Sequence, residues 1–193
     1  MIIKLIRSPV IILLVFTFFK GVFWSSLTPI FQSPDEQNHF AYLQFISEND
    51  RRSIPWSEKN MSEEIIQTLS LADFNPASSH PFYIFEPFEE VHVKNENTLV
   101  NLPISSRQNY LQIAAGSANP PAYYWLGSFF YEAVESHNII DRVFAVRLLS
   151  VILGVGTIYF SYLIVRLFVP KNLILQLSIP TLISLHPSFS FIT

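Results

Sequence analysis

The 193-residue chain contains no cysteine, which excludes disulfides and thiolate metal sites and leaves no trace of redox compartment. Glycine is scarce, with five residues, and none forms a run able to cradle a phosphate. Nucleophile-elbow and zinc-binding motifs are missing as well. So are internal repeats, low-complexity tracts and coiled-coil heptads. Charge is thin at 14%, and acid is absent from both ends: all fifteen Asp and Glu lie between Asp35 and Asp141. Over residues 32–146 those fifteen acids meet six bases (Arg51, Arg52, Lys59, Lys94, Arg107 and Arg142), a local net charge of −9. Such a balance excludes a nucleic-acid partner.

What the chain does have is apolar length. Half of its residues are hydrophobic and 15% are aromatic. A bilayer span needs roughly 20 mostly apolar residues, and three stretches qualify: Pro9–Ile30, Arg147–Phe168 and Leu173–Ile192. The expected fold class is therefore an all-α integral membrane protein with about three transmembrane helices and a large, partly helical external first loop. Lys4 and Arg7 precede the first span, which puts the N-terminus in the cytoplasm and residues 32–146 outside. The competing reading is a secretory signal with Val10–Phe19 as its apolar core, but no small-residue cleavage site follows. The expected location is the plasma membrane, multi-pass, in contact with membrane lipids. The chain then divides into a first span (1–31), the external loop (32–146) and a second pair of spans (147–193). Lys20 lies inside the first span with no acid in the other two to pair with, so snorkelling or a partner on further helices is expected.

Helices are expected in the loop at Pro34–Ile46, Ser62–Leu71 and Ala122–Ser136, with irregular chain over Asn75–Asn109 and short strands near Phe82–Phe85 and Val91–Val93. The thirteen residues Ala122–Val134 reach only about 20 Å as a helix, short of the hydrocarbon core. Their aromatic cluster favours the headgroup level, so this helix is read as lying flat in the interface, the alternative being a short span that the count of flanking bases does not distinguish. Asn60-Met61-Ser62 is an outward-facing glycosylation sequon.

The motif Ser33-Pro34-Asp35-Glu36-Gln37-Asn38-His39-Phe40 follows the first span directly. Its structural reading is a helix start: Ser33 as N-cap, Pro34 in the first turn, Glu36 completing a capping box and Asp35 complementing the dipole. His39 falls outside that account, four residues after Asp35 and three after Glu36 on one helical face. The remaining histidines have no metal-ligand spacing. Two further stretches stand out: Asn119-Pro120-Pro121-Ala122-Tyr123-Tyr124-Trp125, and Arg147-Leu148-Leu149-Ser150 with Gly154.

In this order and spacing the three stretches resemble the N-terminal part of the GT-C superfamily, the multi-span glycosyltransferases that use polyprenyl-phosphate sugars. Protein O-mannosyltransferases and the aminoarabinose transferase of lipid A belong to it. The pattern is most similar to an allied bacterial family of predicted membrane proteins of unknown function. The resemblance implies a lipid-linked sugar donor, transfer to an acceptor hydroxyl on the outer face, and inversion. Loss of a phosphate needs no acid, so one base suffices. The implied roles are Asp35 as catalytic base, Glu36 as its catalytic neighbour, His39 as pocket lining and Arg147 as the phosphate contact. No cofactor is required, although Asp35 and Glu36 are chemically able to hold a divalent cation.

The chain departs from the family in carrying far fewer spans and in stopping before a later acidic loop. It therefore reads as a truncated GT-C fold, an N-terminal fragment inactive on its own. The alternative is a non-catalytic membrane subunit whose acidic loop binds a membrane-protein partner. A transporter piece would need more polar spans than these.

Overall fold

The computed structural model describes residues 9–50, 57–72, 97–186 and 189. The strands expected near Phe82–Phe85 and Val91–Val93 lie outside them, as do Lys4, Arg7, His80 and His92. The helices run α1 (Pro9–Leu27), α2 (Glu36–Glu48), α3 (Glu63–Leu71), α4 (Ala122–Glu132), α5 (Ile139–Phe168) and α6 (Leu173–Leu185). Two short strands, β1 (Met61–Ser62) and β2 (Tyr110–Gln112), pair antiparallel, a pairing the sequence pattern did not suggest. The chain divides into two compact units, 1–28 with 147–193, and 29–146.

The first unit is apolar and helical. The 19-residue α1 and the 30-residue α5 are each long and apolar enough to cross a membrane. Helix α5 begins at Ile139 rather than at Arg147, because Asn138 caps it: the Asn138 side-chain oxygen accepts from the Asp141 amide at 3.0 Å. Helix α6 has 13 residues and contains Pro180; the Asn172 side chain caps it by accepting from the Leu175 amide at 3.1 Å. The expected third span, Leu173–Ile192, is thus described as helix only to Leu185.

Many apolar side chains of this unit face outward, among them Phe19, Phe23, Phe160 and Leu167. Inside it, Gly21 lets α1 approach α5: a Cβ there would stand 2.9 Å from Val151 Cγ1. Small residues at such crossings are a feature of helices packed in lipid. Thr17 Oγ1 and Ser184 Oγ lie 2.8 Å apart across α1 and α6. Lys20 donates to the Ser184 carbonyl, in the last turn of α6. The partner expected on further helices is supplied here by a backbone oxygen, at the helix end whose dipole favours a cation.

The second unit carries the charge and its own core. Seven consecutive residues of α2, Phe40–Ile46, are buried. Phe31, Ile65, Tyr124, Tyr131 and Ile139 close around them, and each fully buried large apolar side chain contributes about 1.5–3 kcal/mol. Helix α4 lays Tyr124, Gly127 and Tyr131 inward and leaves Trp125, Leu126 and Phe129 exposed. Helix α3 starts where expected: Ser62 is its N-cap, its hydroxyl oxygen accepting from the Ile65 amide at 3.3 Å.

The sequon is overturned. Asn60 and Ser62 are fully buried, and Asn60 Oδ1 accepts from the Ala114 amide at 2.6 Å. A glycan on Asn60 has no place in this fold. The polar amide is conscripted instead to tie β1 to the chain after β2.

Candidate functional site

The acidic motif forms a capped turn of a different kind from the one expected. Ser33 does not cap α2; its carbonyl accepts from the Glu36 amide at 3.2 Å, and the helix proper begins at Glu36. Asp35 is the N-cap, in the left-handed region at φ 56°, ψ 11°, and its side chain caps nothing. The Asp35 carbonyl takes the first helical bonds, from the amides of Asn38 (2.9 Å) and His39 (3.1 Å). Its carboxylate is exposed, and its one side-chain hydrogen bond among the described residues is from Asn38 Nδ2, at 3.5 Å. An L-residue in the left-handed region costs about 1–2 kcal/mol, less for Asp and Asn than for others. A capping role would place Asp35 in extended backbone and engage its carboxylate; here neither holds.

His39 comes one turn later and is half-buried. Its Nδ1 lies 2.7 Å from the Tyr124 hydroxyl, and the two rings stack at 6.0 Å with a 24° tilt. Tyr124 is buried, packed against Tyr42 at 4.3 Å between ring centroids. Burial pushes its phenol up to about 12, outweighing the lowering effect of a hydrogen bond from Asn119. The turn Ala115–Ala118 seats against the start of α2, where a Cβ on Gly116 would stand 2.2 Å from the Asn38 carbonyl oxygen. Only glycine permits that approach. The acidic motif and the Asn119–Trp125 stretch, 80 residues apart in sequence, therefore meet through His39–Tyr124 and Gly116–Asn38.

Arg147 lies in the other unit and is occupied structurally. Its Nη1 donates to the carbonyls of Ser25 (2.7 Å) and Thr28 (2.6 Å), at the C-terminal end of α1. A guanidinium suits those orphaned carbonyls and the negative end of the dipole.

Sequence reasoning missed the most densely bonded charges in the second unit. Glu64 is buried between Arg107 and Arg142. Arg142 Nη2 donates to Glu64 Oε1, Arg107 Nε lies 3.4 Å from the same oxygen, and Gln44 Nε2 donates to Glu64 Oε2 at 2.7 Å. Arg142 Nη1 also donates to the Tyr131 hydroxyl (2.7 Å), which donates to Glu48 Oε1 (2.5 Å). Arg107 holds the Glu135 and His137 carbonyls at 2.6 and 2.8 Å. A cavity of about 340 Å³ borders Glu64 and Arg107; Asp35, Glu36 and His39 do not line it. Among the described residues no three His, Asp or Glu side chains gather where a metal ion could be held.

Known proteins add nothing to this geometry: no family model, curated protein or solved structure matches the chain.

Proposed function

We propose that this chain serves in membrane glycosyl transfer, moving a sugar from a polyprenyl-phosphate donor to an acceptor hydroxyl at the outer face. The observation that carries the proposal is Asp35: an exposed carboxylate held in left-handed backbone, with no cap to make, beside the His39–Tyr124 pair. Such strain recurs at functional sites; Phe31 and Asp50 share the left-handed region, and what sets Asp35 apart from the core residue Phe31 is its exposed carboxylate. In the reaction the acceptor oxygen attacks the anomeric carbon as the bond to the phosphate oxygen breaks on the opposite face. Asp35 takes the acceptor proton and the phosphate leaves with the electron pair, so the sugar inverts. Glu36 stands next to the base in sequence, and the charge that builds on the leaving phosphate calls for a cation. The outward Trp125, Leu126 and Phe129 of α4 suit a helix lying at the headgroup level of a lipid surface. Three spans, α1, α5 and the segment that contains α6, and an N-terminus in the cytoplasm complete the arrangement.

The test is Asp35→Asn made at the gene and assayed in the protein as the cell produces it, because asparagine tolerates the same backbone region. Sugar transfer from polyprenyl-phosphate donors, measured in membranes, should fall by about 10²–10⁴-fold while the unfolding midpoint stays put. Undiminished transfer by the variant would end the proposal. Loss of folded protein in step with activity would assign Asp35 to the fold.

A further inference from the structure

The hydroxyl of Tyr124 has one proton and three polar neighbours, of which the Asn119 side chain donates to it and the other two compete for its proton. His39 Nδ1 is 2.7 Å away and the Gly116 carbonyl is 3.3 Å away. Gly116 O is already served, since it accepts from the Asn119 amide at 3.1 Å and from Asn119 Nδ2 at 3.2 Å. A carbonyl oxygen has two lone pairs, and Asn119 fills both. The shorter distance and the saturated carbonyl point the same way: the phenol proton goes to His39 Nδ1.

We infer that Tyr124 is a positioning residue that fixes His39 as the neutral Nε2–H tautomer, so that His39 meets an oxygen of the bound substrate as a hydrogen-bond donor. The inference rests on the glycosyltransferase reading for the word substrate, but the tautomer follows from the geometry alone. It separates two roles that the sequence left merged. Asp35 is the acceptor of a proton, and His39, whose Nδ1 lone pair is engaged by Tyr124, offers an N–H. The stack of the rings and the packing of Tyr124 on Tyr42 hold the imidazole in place while it does so. A group that fixes a ring tautomer from behind is a familiar device around functional histidines.

The experiment is ¹⁵N NMR of the histidine rings in the full chain, reconstituted in lipid nanodiscs, with the His39 signals assigned by their loss in His39→Gln. Wild-type protein at neutral pH should show His39 with Nε2 protonated and Nδ1 bare. In Tyr124→Phe the ring remains and the donor is gone, so the fixed tautomer should give way to a mixture. Asn119→Ala removes one donor from Gly116 O and the hydrogen bond to the Tyr124 hydroxyl; the first draws part of the Tyr124 proton away and the second frees the phenol oxygen to accept, so both should raise the Nδ1–H population. That second variant keeps the test decisive if Tyr124→Phe folds badly. A wild-type Nδ1–H tautomer, or an unchanged ratio in both variants, overturns the inference. Citronellyl phosphate then probes the donor role: adding it should shift the His39 Nε2–H resonance in wild type and leave the four other histidines unmoved. A shift confined to the other histidines removes His39 from the binding site. Because the tautomer is read without turnover, its failure is distinguishable from failure of the proposed transfer.

Discussion

Asp35 and Glu64 are the same kind of group in nearly the same local setting, each at the N-terminal end of a helix in one unit, and the fold treats them oppositely. Glu64 is 1% exposed and is met by Arg142, Arg107 and Gln44. Asp35 is exposed, strained and all but unbonded. The difference separates structure from chemistry. A carboxylate that is neutralised on every side has nothing left for a substrate, however conspicuous its charge. Asp35, whose carboxylate meets only Asn38 among the described residues, keeps its charge open to solvent.

The largest effect expected from this contrast is on Glu64. Glu64→Ala leaves Arg107 and Arg142 buried without their counter-ion, and breaking a buried pair from one side costs about 3–5 kcal/mol. Denaturant unfolding in detergent should register that loss, or the variant should fail to accumulate folded. A shift below about 1 kcal/mol, the size of a surface pair, would mean that the cluster is open to solvent and that the contrast with Asp35 is false.

A broader perturbation reaches the buried tyrosines of the second unit. Burial raises the phenols of Tyr124, to about 12, and of Tyr131, whose hydrogen bond to Glu48 adds to the effect while Arg142 opposes it. The unfolded chain ionises near the ordinary value of about 10, whereas the folded one keeps its protons. Stability from these groups is therefore complete below about pH 10 and lost as the pH climbs towards about 12, because there the unfolded state binds fewer protons. Thermal unfolding followed from pH 8 to 12 should be flat at first and then fall. Tyr124→Phe should blunt the fall, and an unaltered fall would place Tyr124 at the surface.

Much of this architecture was legible from local pattern. The helices α2, α3 and α4 appear within a few residues of where the local pattern puts them, because that signal acts over one or two turns. What escaped was long-range or conformational. Nothing near Glu64 announces Arg142, 78 positions away, and a buried ion pair leaves no periodic mark. Ser33-Pro34-Asp35-Glu36 fits a capping box letter by letter, yet the chain spends Ser33 on a turn and starts the helix at Glu36. Asn60 matched a sequon because three letters carry no information about burial. The meeting of His39 with Tyr124 was half visible: both stretches were conspicuous, but only the fold brings them together.

The smallest effect is also the sharpest probe of the Asp35 backbone. At φ 56° an alanine pays the full left-handed penalty of about 1–2 kcal/mol, while aspartate carries less of it. Glycine carries none, but it enlarges the conformational freedom of the unfolded chain by roughly 0.5–1 kcal/mol. Asp35→Gly should thus leave stability within about 0.5 kcal/mol of wild type, and Asp35→Ala should fall below it by about 1 kcal/mol. Both lack the carboxylate, so both should lose transfer equally. That pairing matters more than either value. If Asp35 served the fold, activity would track stability and the glycine variant would outperform the alanine variant. If it serves the reaction, the two variants differ in stability and are alike in their failure to transfer sugar. Equal stabilities for the two would instead show that the left-handed turn is absent, and the strain assigned to Asp35 would vanish with it.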